Sequence, residues 1–125
     1  MIWVPYNPNP CEKSVGDCTV RAMSLVLDAD WYDAYDFLCD RGRRDCDMPS
    51  SDAVWGDALL AKGYQYVMLP HQGGCRYTAE DFCRDHPRGT YVLAFGKHVA
   101  TVRDGRLFDS WDSRREVPIY YFRRA

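Results

Sequence analysis

The sequence predicts an α+β domain, with helices in its first part and an antiparallel sheet at its C-terminal end. Three observations carry this expectation. Apolar residues recur at helical spacing between Cys18 and Leu27, and again between Trp31 and Cys39. From Gly89 onward the chain turns to short β-rich runs. Between two of those runs lies Asp104-Gly105, among the strongest hairpin signals a short peptide can carry.

Met1 to Val15 contains Tyr6-Asn7-Pro8-Asn9-Pro10, whose two X-Pro steps disfavour a helix and favour an extended arm. Gly16-Asp17-Cys18 turns that arm into a helix over about Cys18 to Leu27. Asp17 is its N-cap, and Val20, Met23, Val26 and Leu27 form its apolar stripe. Ala22 and Leu25 widen the stripe, which predicts a central helix packed on several sides. Asp28-Ala29-Asp30 breaks it, and Asp30 caps a second helix bearing Trp31, Ala34, Tyr35, Leu38 and Cys39. Arg41 to Ser50 is polar and turn-rich and reads as a loop. A third helix runs from near Ser51 to Gly63, where glycine suits a left-handed end.

Tyr64 to Leu69 reads as a strand, and Pro70 to Tyr77 as a loop holding a Gly pair. Thr78 caps a short helix to about Asp85; Asp81 completes a capping-box-like pair, and His86-Pro87 stops the helix. Four strands follow, over Thr90–Phe95, His98–Arg103, Arg106 to Asp109 or Trp111, and Val117–Arg123.

The 125 residues suit one domain, spanning 1–125, with 46% hydrophobic and 27% charged residues. A net charge of −2, with no basic block longer than a pair, argues against a nucleic-acid surface. The first ten residues lack the basic and apolar regions of a signal peptide, and no stretch is apolar for long enough to cross a membrane. A cytoplasmic protein with its six cysteines reduced is the expectation. Cys75, Cys83 and His86 are spaced too widely for a zinc site, so neither a metal nor a cofactor is expected.

Cys18 opens a helix, where unsatisfied amides and the helix dipole favour an anion and lower a thiol's pKa. A buried structural cysteine is the alternative at this position. If Asp104 and Gly105 are the hairpin loop, Arg103 faces Arg106, Ala100 faces Asp109 and His98 faces Trp111. Residues two apart on a strand share a face, so His98 and Asp109 point the same way as diagonal neighbours, roughly 7–8 Å apart at the backbone. Asp112 has the opposite parity. The Asp109 carboxylate is therefore the better candidate to fix the tautomer of His98 and strengthen it as a base; a half-buried histidine beside a chance acidic neighbour is the alternative. Together Cys18, His98 and Asp109 supply a nucleophile, a base and an orienting group.

A cysteine opening a buried helix, followed by sheet-borne His98 and then Asp109, resembles the papain-like cysteine peptidases. Within them, Gly96-Lys97-His98-Val99-Ala100-Thr101-Val102 and Phe108-Asp109-Ser110-Trp111-Asp112-Ser113 look like the bacteriocin-processing type. Tyr6-Asn7-Pro8-Asn9-Pro10, Gly16-Asp17-Cys18 and Met48-Pro49-Ser50-Ser51 also resemble stretches in small proteins of phages and gut bacteria. The resemblance implies a papain-like fold and a cysteine-dependent peptidase or isopeptidase working through an acyl-thioester on a peptide or protein substrate. Cys18 would be the nucleophile, His98 the general base and acid, and Asp109 the orienting residue. That family's oxyanion hole adds a side-chain amide, usually Gln, a few residues before the cysteine. Here Glu12 and Lys13 stand at that distance, so Asn7, ahead of Asn9, is the candidate donor. The rival expectations are a non-catalytic, phage-encoded binding protein on the same scaffold, and an amidase of cell-wall peptides.

Overall fold

In the computed structural model, which describes residues 1–70 and 76–124, Asp104 and Gly105 adopt positive φ angles of 51° and 75°. Positive φ at both central residues makes a hairpin turn whose twist matches its flanking strands. It joins β4 (Val99–Arg103) to β5 (Arg106–Asp109), with Arg103 opposite Arg106 and Thr101 opposite Phe108. This is the expected register.

The remaining elements are β1 (Trp3–Pro5), α1 (Cys18–Leu27), α2 (Trp31–Asp45), α3 (Asp52–Ala61), β2 (Tyr64–Met68), α4 (Ala79–Asp85), β3 (Thr90–Ala94) and β6 (Tyr120–Arg124). Among the described residues the strands form one six-stranded sheet in the order β1-β5-β4-β3-β6-β2. The α+β class stands, but the sheet is neither purely antiparallel nor purely C-terminal. The N-terminal arm contributes β1, which runs parallel to β5, and β2 closes the other edge against β6.

Both faces of the sheet are covered. Val20, Met23 and Val26 of α1, Leu38 of α2 and Trp55 and Leu59 of α3 pack with Val92, Ala94, Val99 and Phe122. Phe82 and Cys83 of α4 pack on the opposite face with Leu93, Ala100, Val102, Leu107 and Tyr121. Burial on both sides accounts for the near-continuous apolar run in β3.

Four local expectations are corrected. Asp17 makes no side-chain cap bond to α1. The second helix continues to Asp45 through a stretch expected to be loop. Gly42 sits where the chain crosses back, and a β-carbon there would meet Asp47 O at 2.7 Å. The last strand starts at Tyr120 and not at Val117, and the side chains of Val117 and Ile119 are exposed. Strand β3 ends at Ala94 and β4 starts at Val99, so Phe95 and His98 frame the connecting turn and lie outside the strands. The Thr78 cap forms with its reciprocal Asp81 bond, giving a full capping box on α4. The expected Gly-pair loop and Cys75 lie outside the described residues, apart from its ends at Pro70, Arg76 and Tyr77.

Candidate active site

Helix α1 packs along β4, and this packing brings the first residue of the helix to the mouth of the β3–β4 hairpin. Ala94 and Val99 are the last rung of that ladder, and Phe95 N–H donates to His98 O at 2.8 Å just beyond it. In an antiparallel ladder this makes Ala94–Val99 a non-hydrogen-bonded pair, so the Val99 N–H is not spent on β3. The Val99 N–H and the His98 ring are both placed to act on the Cys18 sulfur, where they draw its pKa down.

His98 Nε2 donates to Asp109 Oδ2 at 2.6 Å, which leaves Nδ1 for the thiol. Asp109 is 2% exposed and fully engaged: Ser113 Oγ donates to Oδ2 at 2.6 Å and Ser110 N–H to Oδ1 at 2.8 Å. Its main-chain carbonyl accepts from Trp3 Nε1 at 3.1 Å and Tyr6 N–H at 2.8 Å, which pins β5 to the N-terminal arm. Phe95 stacks on the His98 ring with centroids 5.8 Å apart, and Trp111 leans over it at 5.2 Å. Both aromatics restrict the water reaching the imidazole.

Burial by itself would push the Cys18 pKa up. The hydrogen bonds from His98 and Val99 and the positive charges of His98 and Arg21 outweigh it, so the thiol is held below its ordinary value. Burial would likewise push the His98 pKa down, but the hydrogen bonds to Asp109 and Cys18 and the charges of both hold it up at about 9. Both shifts favour a thiolate–imidazolium pair. Cys83 marks the contrast: buried under α4 with no such partners, its thiol is pushed up to about 11.

The side chains of Asp17 and Arg21 form a buried ion pair directly behind the cysteine. Trp31 Nε1 at 2.9 Å and Asn9 Nδ2 at 3.3 Å complete the shell of the Asp17 carboxylate. Asn7 lies on the exposed side of the arm. Its Nδ2 donates to Lys13 O at 3.4 Å, and its Oδ1 accepts from Asn9 N–H, an Asx-type turn. Asn7 is absent from the walls of the cleft in front of Cys18, which holds about 430 Å³ between α1, the start of α3, the β3–β4 turn and the first residues of β6.

Cys18, His98 and Asp109 are therefore brought together, while Asn7 is not. Sequence reasoning missed the parts played by Ser113 and Trp31, and it named Asn9 only as second choice to Asn7 at the oxyanion, whereas Asn9 bonds the Asp17 carboxylate. Each is a polar group whose partner lies 4 to 14 residues away, at a spacing that no local motif encodes.

Cys11, Cys18, Cys39, Cys46 and Cys83 carry free thiols. Among the described residues no group of three or more His, Cys, Asp or Glu side chains is placed to hold a metal ion. Among the described residues no helix is long and apolar enough to cross a membrane. No protein-family model, curated protein or solved structure matches the chain.

Proposed function

We propose that this protein is a cysteine-dependent hydrolase of the papain-like kind, cleaving peptide or isopeptide amides through Cys18, His98 and Asp109. One observation carries the proposal. A helix-start thiol and an imidazole line the same cleft, the imidazole is hydrogen-bonded to a buried carboxylate, and His98 pulls the thiol's pKa down while its own is held up. Nucleophile, base and orienting group then share one site.

The chemistry follows from the positions. The Cys18 thiolate attacks the substrate carbonyl, and the negative charge that forms on oxygen is met by the Cys18 N–H at the uncapped start of α1. The protonated His98 gives its proton to the departing amine, leaving an acyl-thioester. Water, deprotonated by His98, then attacks the thioester and releases the acid and the thiol. Asp109 stabilises the imidazolium throughout without taking up the proton. A working thiolate suits a reducing compartment, in keeping with a cytoplasmic setting.

Iodoacetamide labelling followed by peptide mass mapping tests this directly. Cys18 should react first at neutral pH, well ahead of Cys83, and His98→Ala should slow it to the rate of the other thiols. Uniformly slow labelling across all cysteines would overturn the proposal and favour a non-catalytic binding protein.

A further inference from the structure

Two charged side chains in the cleft have no assigned task. The sheet order separates them. Helix α1 lies against β4 and carries Cys18, whereas α3 lies against β2 and carries Asp52 and Trp55. Tyr120, at the head of β6, sits between these two parts of the sheet. The cleft spans both: Cys18 and His98 on one side, Asp52, Trp55 and Tyr120 on the other.

Asp52 is exposed, yet its carboxylate is not free to wander. Trp55 Nε1 donates to its Oδ1 at 3.0 Å and fixes it at the start of α3. Among the described residues it forms no salt bridge, so this fixed negative charge has no protein counterion. The Trp55 and Tyr120 rings stack 6° from parallel with centroids 6.3 Å apart, and Tyr66, 48% exposed, continues the row 5.0 Å from Tyr120. Trp55 itself is 2% exposed and backs the row; the partly exposed Tyr120 ring presents negative potential, so it and the carboxylate attract the same kind of group. Burial and the charge of Asp52 both push the Tyr120 phenol up, consistent with the carboxylate acting on that ring. Lys97, the other charged group, belongs to the turn beside His98 and also forms no salt bridge among the described residues. The cleft is thus polarised, positive at the imidazole and negative at α3.

We propose that Asp52, held in place by the buried Trp55 and flanked by the partly exposed Tyr120 ring, is a subsite for a basic side chain, Arg or Lys, on the acyl portion of the substrate. The orientation follows from the chemistry. His98 protonates the leaving amine, so the amine portion lies at the imidazole and the acyl portion extends across to α3. The inference rests on Cys18 being the nucleophile, and its test separates the two claims.

Dipeptidyl acyloxymethyl ketones, which alkylate an active thiolate after binding as the acyl portion, serve as probes. Sets carrying Arg, Ala or Glu at either position are compared with iodoacetamide, which has no side chain to recognise. The best Arg probe should label Cys18 several-fold faster than its Ala counterpart, the scale of a cation placed against an exposed carboxylate beside an aromatic ring. Asp52→Asn, which keeps an acceptor for Trp55, should erase that preference without altering iodoacetamide labelling, and Asp52→Lys should favour Glu. Fast iodoacetamide labelling with no preference for Arg overturns the subsite and leaves the nucleophile standing. Slow iodoacetamide labelling overturns both.

Discussion

Asp17 directs its carboxylate onto Arg21, one helical turn along, and makes no bond to the open amides of the helix it begins. Both residues are buried, at 6% and 7% exposure, so each is the other's main charge compensation. The pair anchors the backbone from which Cys18 projects, and the Arg21 charge contributes to drawing the thiol pKa down. Removing one partner of a buried pair strands the other charge, at a cost of about 3–5 kcal/mol. Asp17→Ala should therefore lose about that much stability in urea titrations. Arg21→Met should raise the Cys18 pKa, which the ultraviolet absorbance of the thiolate reports.

The thiolate–imidazolium pair fixes the shape of the pH profile. Activity should rise as pH climbs through the lowered pKa of Cys18, since the thiolate is the attacking species. It should fall as pH passes through about 9, where His98 loses the proton owed to the leaving amine. A kcat/KM profile whose alkaline limb lies near the ordinary histidine value would contradict the hydrogen-bonded arrangement.

Asp109 sets that alkaline limb. Asp109→Asn removes the carboxylate that raises the His98 pKa, so the limb should move to lower pH as the maximal rate falls. Ser113→Ala acts one bond further out. It removes a buried donor to a charged oxygen, and about 1–3 kcal/mol of stability should go with it in thermal or urea unfolding. Thr at this position, which keeps the hydroxyl, should recover part of the loss.

Two glycines make a matched stability test. A β-carbon on Gly42 would lie 2.7 Å from Asp47 O and 3.2 Å from Pro49 N, both backbone atoms that cannot swing aside. Gly42→Ala should therefore cost about 1–3 kcal/mol by overpacking. A β-carbon on Gly16 meets nothing within 4 Å, so Gly16→Ala should leave the unfolding midpoint unchanged.

Where turn chemistry and strand parity speak locally, the sequence was legible. Asp104-Gly105 dictates the β4–β5 register, and His98, one residue before β4, reaches Asp109 at the end of β5 as strand parity predicts. The capping box at Thr78 was equally readable. What escaped depends on distant chain. Asp17 has the residue type of a cap, but Arg21, Trp31 and Asn9 compete for its oxygens once the core closes. Strand β1 is three residues long, too short to show a period, and only the waiting edge of β5 makes it a strand. Helix α2 runs through Gly42 because tertiary packing overrides the weak propensity of that glycine. Asn7 was singled out as a side-chain amide able to loop back, since Glu12 and Lys13 hold the usual distance from Cys18, and its residue type gave no hint that the amide would turn to Lys13.

Trp3 and Tyr6 both grip the carbonyl of the residue whose side chain steadies His98. Peeling away the first six residues would loosen that grip and bare a strand margin on which a stranger's backbone can settle. One mechanical slip at the front of the molecule would thus silence its chemistry and make it sticky at the same moment. A bulky fusion placed just ahead of Trp3 courts both failures together.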